Sequence, residues 1–212
     1  DKPVTRLTTT YMSDSQFGGH IDIGRRFGEN REVGVRFNGV YRDGDSAVKN
    51  QKKEANLASL GLDWRGQGAR ISADFFSTKD HVDGVNRGVS LATGINVPKP
   101  PSADTLLDAP WTFTDTKDRG AIVRGEYDIN DKLSVYATAG AGKTEFSSLA
   151  SSLAQVYNDA GDTRNNVAHQ RLNYHKKSAE VGVKGQFDTA GIGHEWAINA
   201  SYLNRETDFG FL

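Results

Sequence analysis

The stretch Tyr136-ATAGAGKTE-Phe146 admits two readings that lead to different folds. Ala137-xxxx-Gly142-Lys143-Thr144 fits the looser form of a phosphate-binding loop, and Ser147-SLASSLAQV-Tyr157 behind it can be drawn as a helix. Such a loop needs a strand, a tight glycine turn and a helix whose N-terminus holds phosphate. Here the first motif position is Ala137, and the strand runs through it. Leu133, Val135, Ala137, Ala139 and Ala141 alternate with Ser134, Tyr136, Thr138 and Gly140. Upstream, Gly125-EYDINDKLSVY-Ala137 reads as strand, short turn, strand, which is antiparallel hairpin grammar. Leu62-Asp63 is a poor candidate for a magnesium-binding strand end. The stretch is therefore read as a glycine-rich strand whose small residues permit close backbone approach.

The same alternation extends outward in both directions. Ile21 and Ile23 oppose His20, Asp22 and Gly24; Val33, Val35, Phe37 and Tyr41 oppose Gly34, Arg36, Asn38 and Arg42. Leu60, Leu62 and Trp64 oppose Ser59, Gly61 and Asp63; Ile71, Ala73 and Phe75 oppose Arg70, Ser72 and Asp74. Val123 and Tyr127 oppose Arg124, Glu126 and Asp128; Val181, Val183 and Phe187 oppose Glu180, Lys184 and Gln186; Trp196, Ile198, Ala200 and Tyr202 oppose Glu195, Asn199 and Ser201. A helix would mix these sets, whereas a strand separates them. The fold class is all-β, with long antiparallel strands. Tight links alternate with long polar ones near 43–53, 80–118 and 147–174, the grammar of a meander with turns at one end and loops at the other. Ser147–Tyr157 leaves room for a helical turn.

Composition narrows the partners. The 26 basic and 27 acidic residues nearly cancel, which gives no argument for a nucleic-acid partner. There is no cysteine, hence no disulfide and no thiolate chemistry. No run of apolar residues is long enough for a transmembrane helix. A transmembrane barrel stays open, because each of its strands needs only about ten alternating residues. Alternation suits a soluble sandwich as well, with the apolar face as core and the charged face as surface. The alternative to a barrel is thus a soluble carbohydrate- or protein-binding β-sandwich, and behind it an all-β enzyme. The five histidines, His20, His81, His169, His175 and His194, form no ligand spacing, and no catalytic constellation is legible.

The run Asp14-SQFGGHIDIGRRFGENREVGVRFNGVYRDG-Asp45 resembles the start of the barrel in TonB-dependent outer-membrane receptors, above all those for ferric siderophores. Ala58-SLGLDWR-Gly66, Ala109-PWTFTDTKDR-Gly120 and Arg124-GEYDINDKLSVYATA-Gly140 carry the likeness along the chain. The resemblance implies a plug inside a 22-stranded barrel, located in the outer membrane of a Gram-negative bacterium. Residues 1–212 would be one part of that barrel, with about nine strands and an edge open on each side. The plug and the TonB-contacting segment with its TonB box would lie outside these residues. The implied activity is transport, not catalysis. Implied partners are a ferric siderophore, the TonB complex, the plug of the same chain and outer-membrane lipid. Iron would arrive wrapped in its chelator, so no protein cofactor or metal ligand is implied.

On this reading Asp22, Arg36, Asp74, Arg124, Glu126 and Lys184 face the lumen, and Trp64, Tyr127, Trp196 and Tyr202 supply belt aromatics at the membrane borders. Ligand contact is expected at the long loops and upper lumen. Trp111, Phe113, Tyr157 and Tyr174 are the candidates, because aromatic rings give rigid apolar surface to an organic chelate.

Overall fold

Alternation becomes strand after strand, with no helix among the described residues. The computed structural model describes residues 2–12, 14–151 and 153–211. Nine long strands form one antiparallel sheet: β1 (Val4–Met12), β2 (Gln16–Phe27), β3 (Val33–Asp45), β4 (Lys52–Arg65), β5 (Ala69–Asp83), β7 (Phe113–Asn130), β8 (Leu133–Ser151), β11 (Val167–Thr189) and β12 (Ile192–Phe211), hydrogen-bonded in that order. Three short strands, β6 (Val89–Leu91), β9 (Ala154–Val156) and β10 (Thr163–Arg164), make a small second sheet within the long connections.

The glycine-rich stretch lies inside β8. Ala137 pairs with Gly125 on one side and Val181 on the other, and Gly142 pairs with Gly120 and Lys176. A phosphate loop would have to break both ladders. Of the residues drawn as a helical turn, Ser147–Ser151 belong to β8 and Ala154–Val156 form β9. Pairing to β7 and β11 satisfies the backbone groups that a helix would have satisfied internally, and this tertiary demand overrides the helix-friendly Ser, Leu and Ala composition.

One end of the sheet is closed by tight turns. Ala190 (φ 50°) and Gly191 (φ 80°) are the two residues between β11 and β12, both left-handed, as a two-residue type I′ hairpin requires. Gly28 (φ 92°) accepts a hydrogen bond from the Arg31 amide across the β2–β3 turn. Between β7 and β8 a bulge at Asp128–Asn130 leaves Ile129 outside the pairing, which sharpens the local twist. At the opposite end the connections are longer: 46–51, 84–112 and the segment from β8 to β11.

The sheet is a single layer. Buried apolar side chains among the described residues are confined to Ala150, Ala154 and Val156, all at the loop end, while Val181 is 59% and Ile198 69% exposed. The accessible surface is 14070 Å². A folded monomer of 23.1 kDa would expose about 9,700 Å². The apolar face is thus not the inside of a sandwich, since no second sheet covers it.

Candidate functional site

Cross-strand register assigns each side chain to one of two faces. The face bearing Phe37, Leu60, Phe75, Val123, Val181 and Ile198 is here the outer face; the opposite one is the inner face.

From the tight-turn end the outer face of β3, β8 and β11 is apolar for about nine residues, close to the crossing length of a tilted membrane strand, while on β2 Arg25 interrupts it beside the turn and donates to Val4 and Thr5. Aromatic rings edge this band. Phe27, Trp64, Tyr127, Phe187 and Trp196 lie toward the turns, and Tyr41 and Tyr202 toward the loops. The Trp196 indole lies across Gly185, where an added Cβ would come within 2.7 Å of the ring. Of the four expected belt residues, three therefore stand at the turn-side border and Tyr202 at the other.

Beyond the band the same face turns charged. Arg119 meets Glu145 at 3.2 Å, Lys143 also pairs with Glu145, and Lys79 lies 3.7 Å from Glu54. His81 touches Asp115 at 2.8 Å and Asp83 at 3.1 Å. Partial burial disfavours the His81 imidazolium. The Asp115 hydrogen bond and the charges of Asp83 and Asp115 outweigh that, so its pKa is raised.

The inner face is polar over the span where the outer face is apolar. Arg36 donates twice to Asp22, at 2.9 and 2.7 Å, and Asp22 is only 4% exposed. Arg26 meets Asp63 at 2.7 Å. Arg70 bridges Glu126 (2.8 Å) and Asp128 (2.6 Å), and Lys184 joins Glu126 from β11 at 2.5 Å. Arg124 donates to Thr138. The wall thus neutralises most of these charges laterally, strand to strand, in a row that water can reach.

At the loop end, residues 84–112 fold against the top of the inner face. Arg87 donates to Ser148, which shares a hydrogen bond with Thr114; Thr112 and Ser148 are 0% and 1% exposed. β6 pairs parallel with β9, and β9 antiparallel with β10. The Asn96 amide and side chain both donate to the Asp159 carboxylate at 2.8 Å. Lys49 binds Asp104 at 2.7 Å, and that hydrogen bond holds the Asp104 carboxyl below its usual range.

The four expected contact residues are not brought together. Trp111 is exposed on the 84–112 connection. Tyr157 directly follows β9, with the Arg164 guanidinium 5.6 Å over its ring. Phe113 stands on the outer face, between the rings of His81 (6.5 Å) and His169 (6.1 Å). Tyr174 stands on the inner face, with Lys176 Nζ 5.6 Å and Arg205 Cζ 5.7 Å from its ring centre. The two cations were not among the expected residues. Strand parity puts Lys176 beside Tyr174, but only the β11–β12 register brings in Arg205. Among the described residues no three His, Cys, Asp or Glu side chains gather as a metal site. His20 contacts Asn38, His169 contacts Ser147, and the His194 ring stacks on Phe187.

No protein-family model matches the chain. Among curated proteins it is similar to the ferrichrome receptor FcuA of Yersinia enterocolitica, 33% identical over 202 residues, which is 95% of this chain and 26% of that protein. Among solved structures it matches BauA, the ferric preacinetobactin receptor of Acinetobacter baumannii, with 50% identity and a TM-score of 0.96 over all of this chain and 32% of that one. The ferric-catecholate import receptor Fiu of E. coli K12 shares the fold, at 15% identity and a TM-score of 0.82 over 98% of this chain and 32% of that one. The chain spans between a quarter and a third of the length of these relatives. An apolar band, a polar inner wall and these likenesses agree: the chain matches a stretch of the outer-membrane barrel of TonB-dependent ferric-siderophore receptors.

Proposed function

We propose that the protein to which this segment belongs imports ferric siderophores across the outer membrane. The observation that carries the reading is the match to a ferric preacinetobactin receptor, at 50% identity and a TM-score of 0.96 over the whole chain. The nine strands form one sector of a 22-stranded barrel around a plug. The open edges at β1 and β12 pair with further strands of the same wall, because an unpaired edge is not tolerated in hydrocarbon. The outer band meets lipid.

The chelate docks at the loop end of the inner face. Trp111 and Tyr157 offer exposed rings on the connections, and Tyr174 offers one on the wall. Phe113 braces the wall between His81 and His169. Iron arrives as a finished chelate, so the protein supplies recognition and passage rather than ligands to the metal. TonB acts on the plug, the plug rearranges, and the chelate passes to the periplasm.

The test is uptake. Cells lacking the intact gene, grown under iron restriction, are supplied with a panel of radiolabelled ferric siderophores. Loss of accumulation from at least one chelate, restored by the gene and abolished without TonB, is expected. Unchanged uptake of every chelate in the panel overturns the reading.

A further inference from the structure

The connection 84–112 is fastened at both of its ends by one buried knot. Thr112, its last residue, is fully buried, and its backbone and hydroxyl are all hydrogen-bonded. Its amide donates to the Ala109 carbonyl at 3.1 Å, and its carbonyl accepts from the Gly84 amide at 2.8 Å. Its hydroxyl donates to the Ala109 carbonyl at 2.7 Å and accepts from the Val85 amide at 2.9 Å. The carbonyl of Gly84, the first residue of the connection, accepts from Gln51 Nε2 at 2.8 Å. Gln51 is buried too, and its Oε1 accepts from the Ser46 hydroxyl at 2.7 Å, so its side chain joins the 46–51 connection to this one. Gly84 has φ 70°, and an added Cβ there would lie 2.7 Å from the Asn50 carbonyl oxygen. The close approach of the two connections therefore requires glycine.

What the knot holds is a turn. The bond from the Thr112 amide to the Ala109 carbonyl closes Ala109-Pro-Trp-Thr112. Pro110 stands at the second position, where its fixed φ suits such a turn. Trp111 stands at the third and is 56% exposed. A large apolar ring is thus displayed to water by the residue next to a fully buried one. Apolar side chains would serve packing alone. A hydroxyl and an amide with every partner in place fix one geometry. Ordering a contact residue before its partner arrives lowers the entropy cost of association.

On the strength of the receptor reading above, we propose that Thr112 and Gln51 are positioning residues for chelate recognition. They hold Trp111 in its contact geometry before the chelate arrives, and neither touches the chelate.

The test uses the receptor expressed from its full coding sequence, in outer-membrane vesicles, and the radiolabelled ferric siderophores of the uptake panel. Equilibrium binding is measured for the one that the unaltered receptor holds most tightly. Trp111→Ala is expected to weaken it ~10-fold or more. Thr112→Val, which keeps the shape and removes the hydroxyl, is expected to weaken it ~5-fold, and Gln51→Met ~3-fold. Thr112→Ser, which keeps the hydroxyl, stays within ~2-fold. The deciding readout is a double-variant cycle: in the Trp111→Ala background, Thr112→Val and Gln51→Met each change binding by less than ~2-fold. A residue that serves only the fold weakens binding as much without Trp111 as with it. Heat-modifiable gel mobility checks that each variant has folded, and the Gln51 cycle decides if Thr112→Val does not reach the membrane. Unchanged binding by Trp111→Ala, additive cycles, or a Thr112→Ser receptor as weak as Thr112→Val overturns the positioning role and leaves the receptor reading standing. A folded receptor that binds no chelate of the panel, from a gene whose loss changes no ferric-siderophore uptake, overturns both.

Discussion

The two ends of the sheet obey different rules. Toward the tight turns, the outer face is Val, Ile, Leu and aromatic, and the inner face carries the ion pairs. Toward the loops, the outer face is charged as well: Arg119 meets Glu145, Lys79 meets Glu54 and His81 meets Asp115 across strands, and Lys143 meets Glu145 along β8. One continuous ladder runs through both regions, so backbone pairing does not distinguish them. The solvent does. In hydrocarbon a strand must hide every polar side chain on one side, and beyond it water makes either side free.

The sharpest way to break this contrast is a cation placed inside the band. Val181→Arg, on the outer face of β11, is expected to destabilise the receptor by ~2–4 kcal/mol, whereas Asn204→Arg, above the band on β12 and opposite Lys177, costs no more than ~1 kcal/mol. Urea midpoints of the receptor reconstituted in lipid vesicles measure both. Equal effects would mean that the band is not the membrane contact.

A smaller change is expected where the band is held by ring packing. Gly185→Val places carbon where the Trp196 indole lies, within 2.7 Å of an added Cβ. The ring must swing away, at a cost of ~1–3 kcal/mol. The same urea series, with acrylamide quenching of tryptophan fluorescence, follows the displacement. The same substitution at Gly125, where an added Cβ meets nothing within 4 Å, is the control.

At the loop end, Asp159→Ala removes both hydrogen bonds from Asn96. These tie exposed backbone rather than a packed core, so the loss is about 1 kcal/mol of local stability. Limited proteolysis within 84–112 is expected to speed up ~5-fold with the barrel intact. An unchanged cleavage rate would show that β6 and β9 hold together without this tie.

The smallest effect is a titration. The His81 pKa is raised in the folded wall above its ordinary 6.5. Its ion pairs with Asp115 and Asp83 therefore contribute fully below 6.5 and are lost as pH rises through the higher folded value. Hydrogen exchange at the loop ends of β5 and β7 is expected to quicken as pH passes through that window, beyond the intrinsic pH dependence of exchange. His81→Gln removes this excess. An excess that survives the substitution assigns it to another group.

The same contrast explains what could be read from the chain. Inside the band, lipid imposes period two, so Val33 to Tyr41, Leu60 to Trp64 and Val181 to Phe187 read directly as strand. Above it, Asp115-TKD-Arg119 and Arg171-LNYHK-Lys177 carry polar residues on both faces and look like loop, yet they are ladder. That is why β7 begins at Phe113 and β11 at Val167, well inside the expected long connections. It also explains Phe113. Beside Trp111 in sequence it looked like a loop aromatic, but as the first residue of β7 its parity sends it to the outer face. Tyr174 was legible as a ring with a polar tip. Its two cations needed a register that only the folded sheet supplies.

The parallel pairing of β6 with β9 has a bearing on assembly order. Neighbours in the large sheet follow one another along the chain, apart from the skips over the small strands, so the wall can grow one hairpin at a time. Val89–Leu91 and Ala154–Val156 are different, because the whole β7–β8 hairpin lies between them. Their ends meet only after that hairpin has set its register, which makes this pairing a late step that certifies the ones before it. In a refolding time course, amide protection at Ser90 and Gln155 then follows protection in β7 and β8, and the mouth of the wall is the last part to acquire its shape.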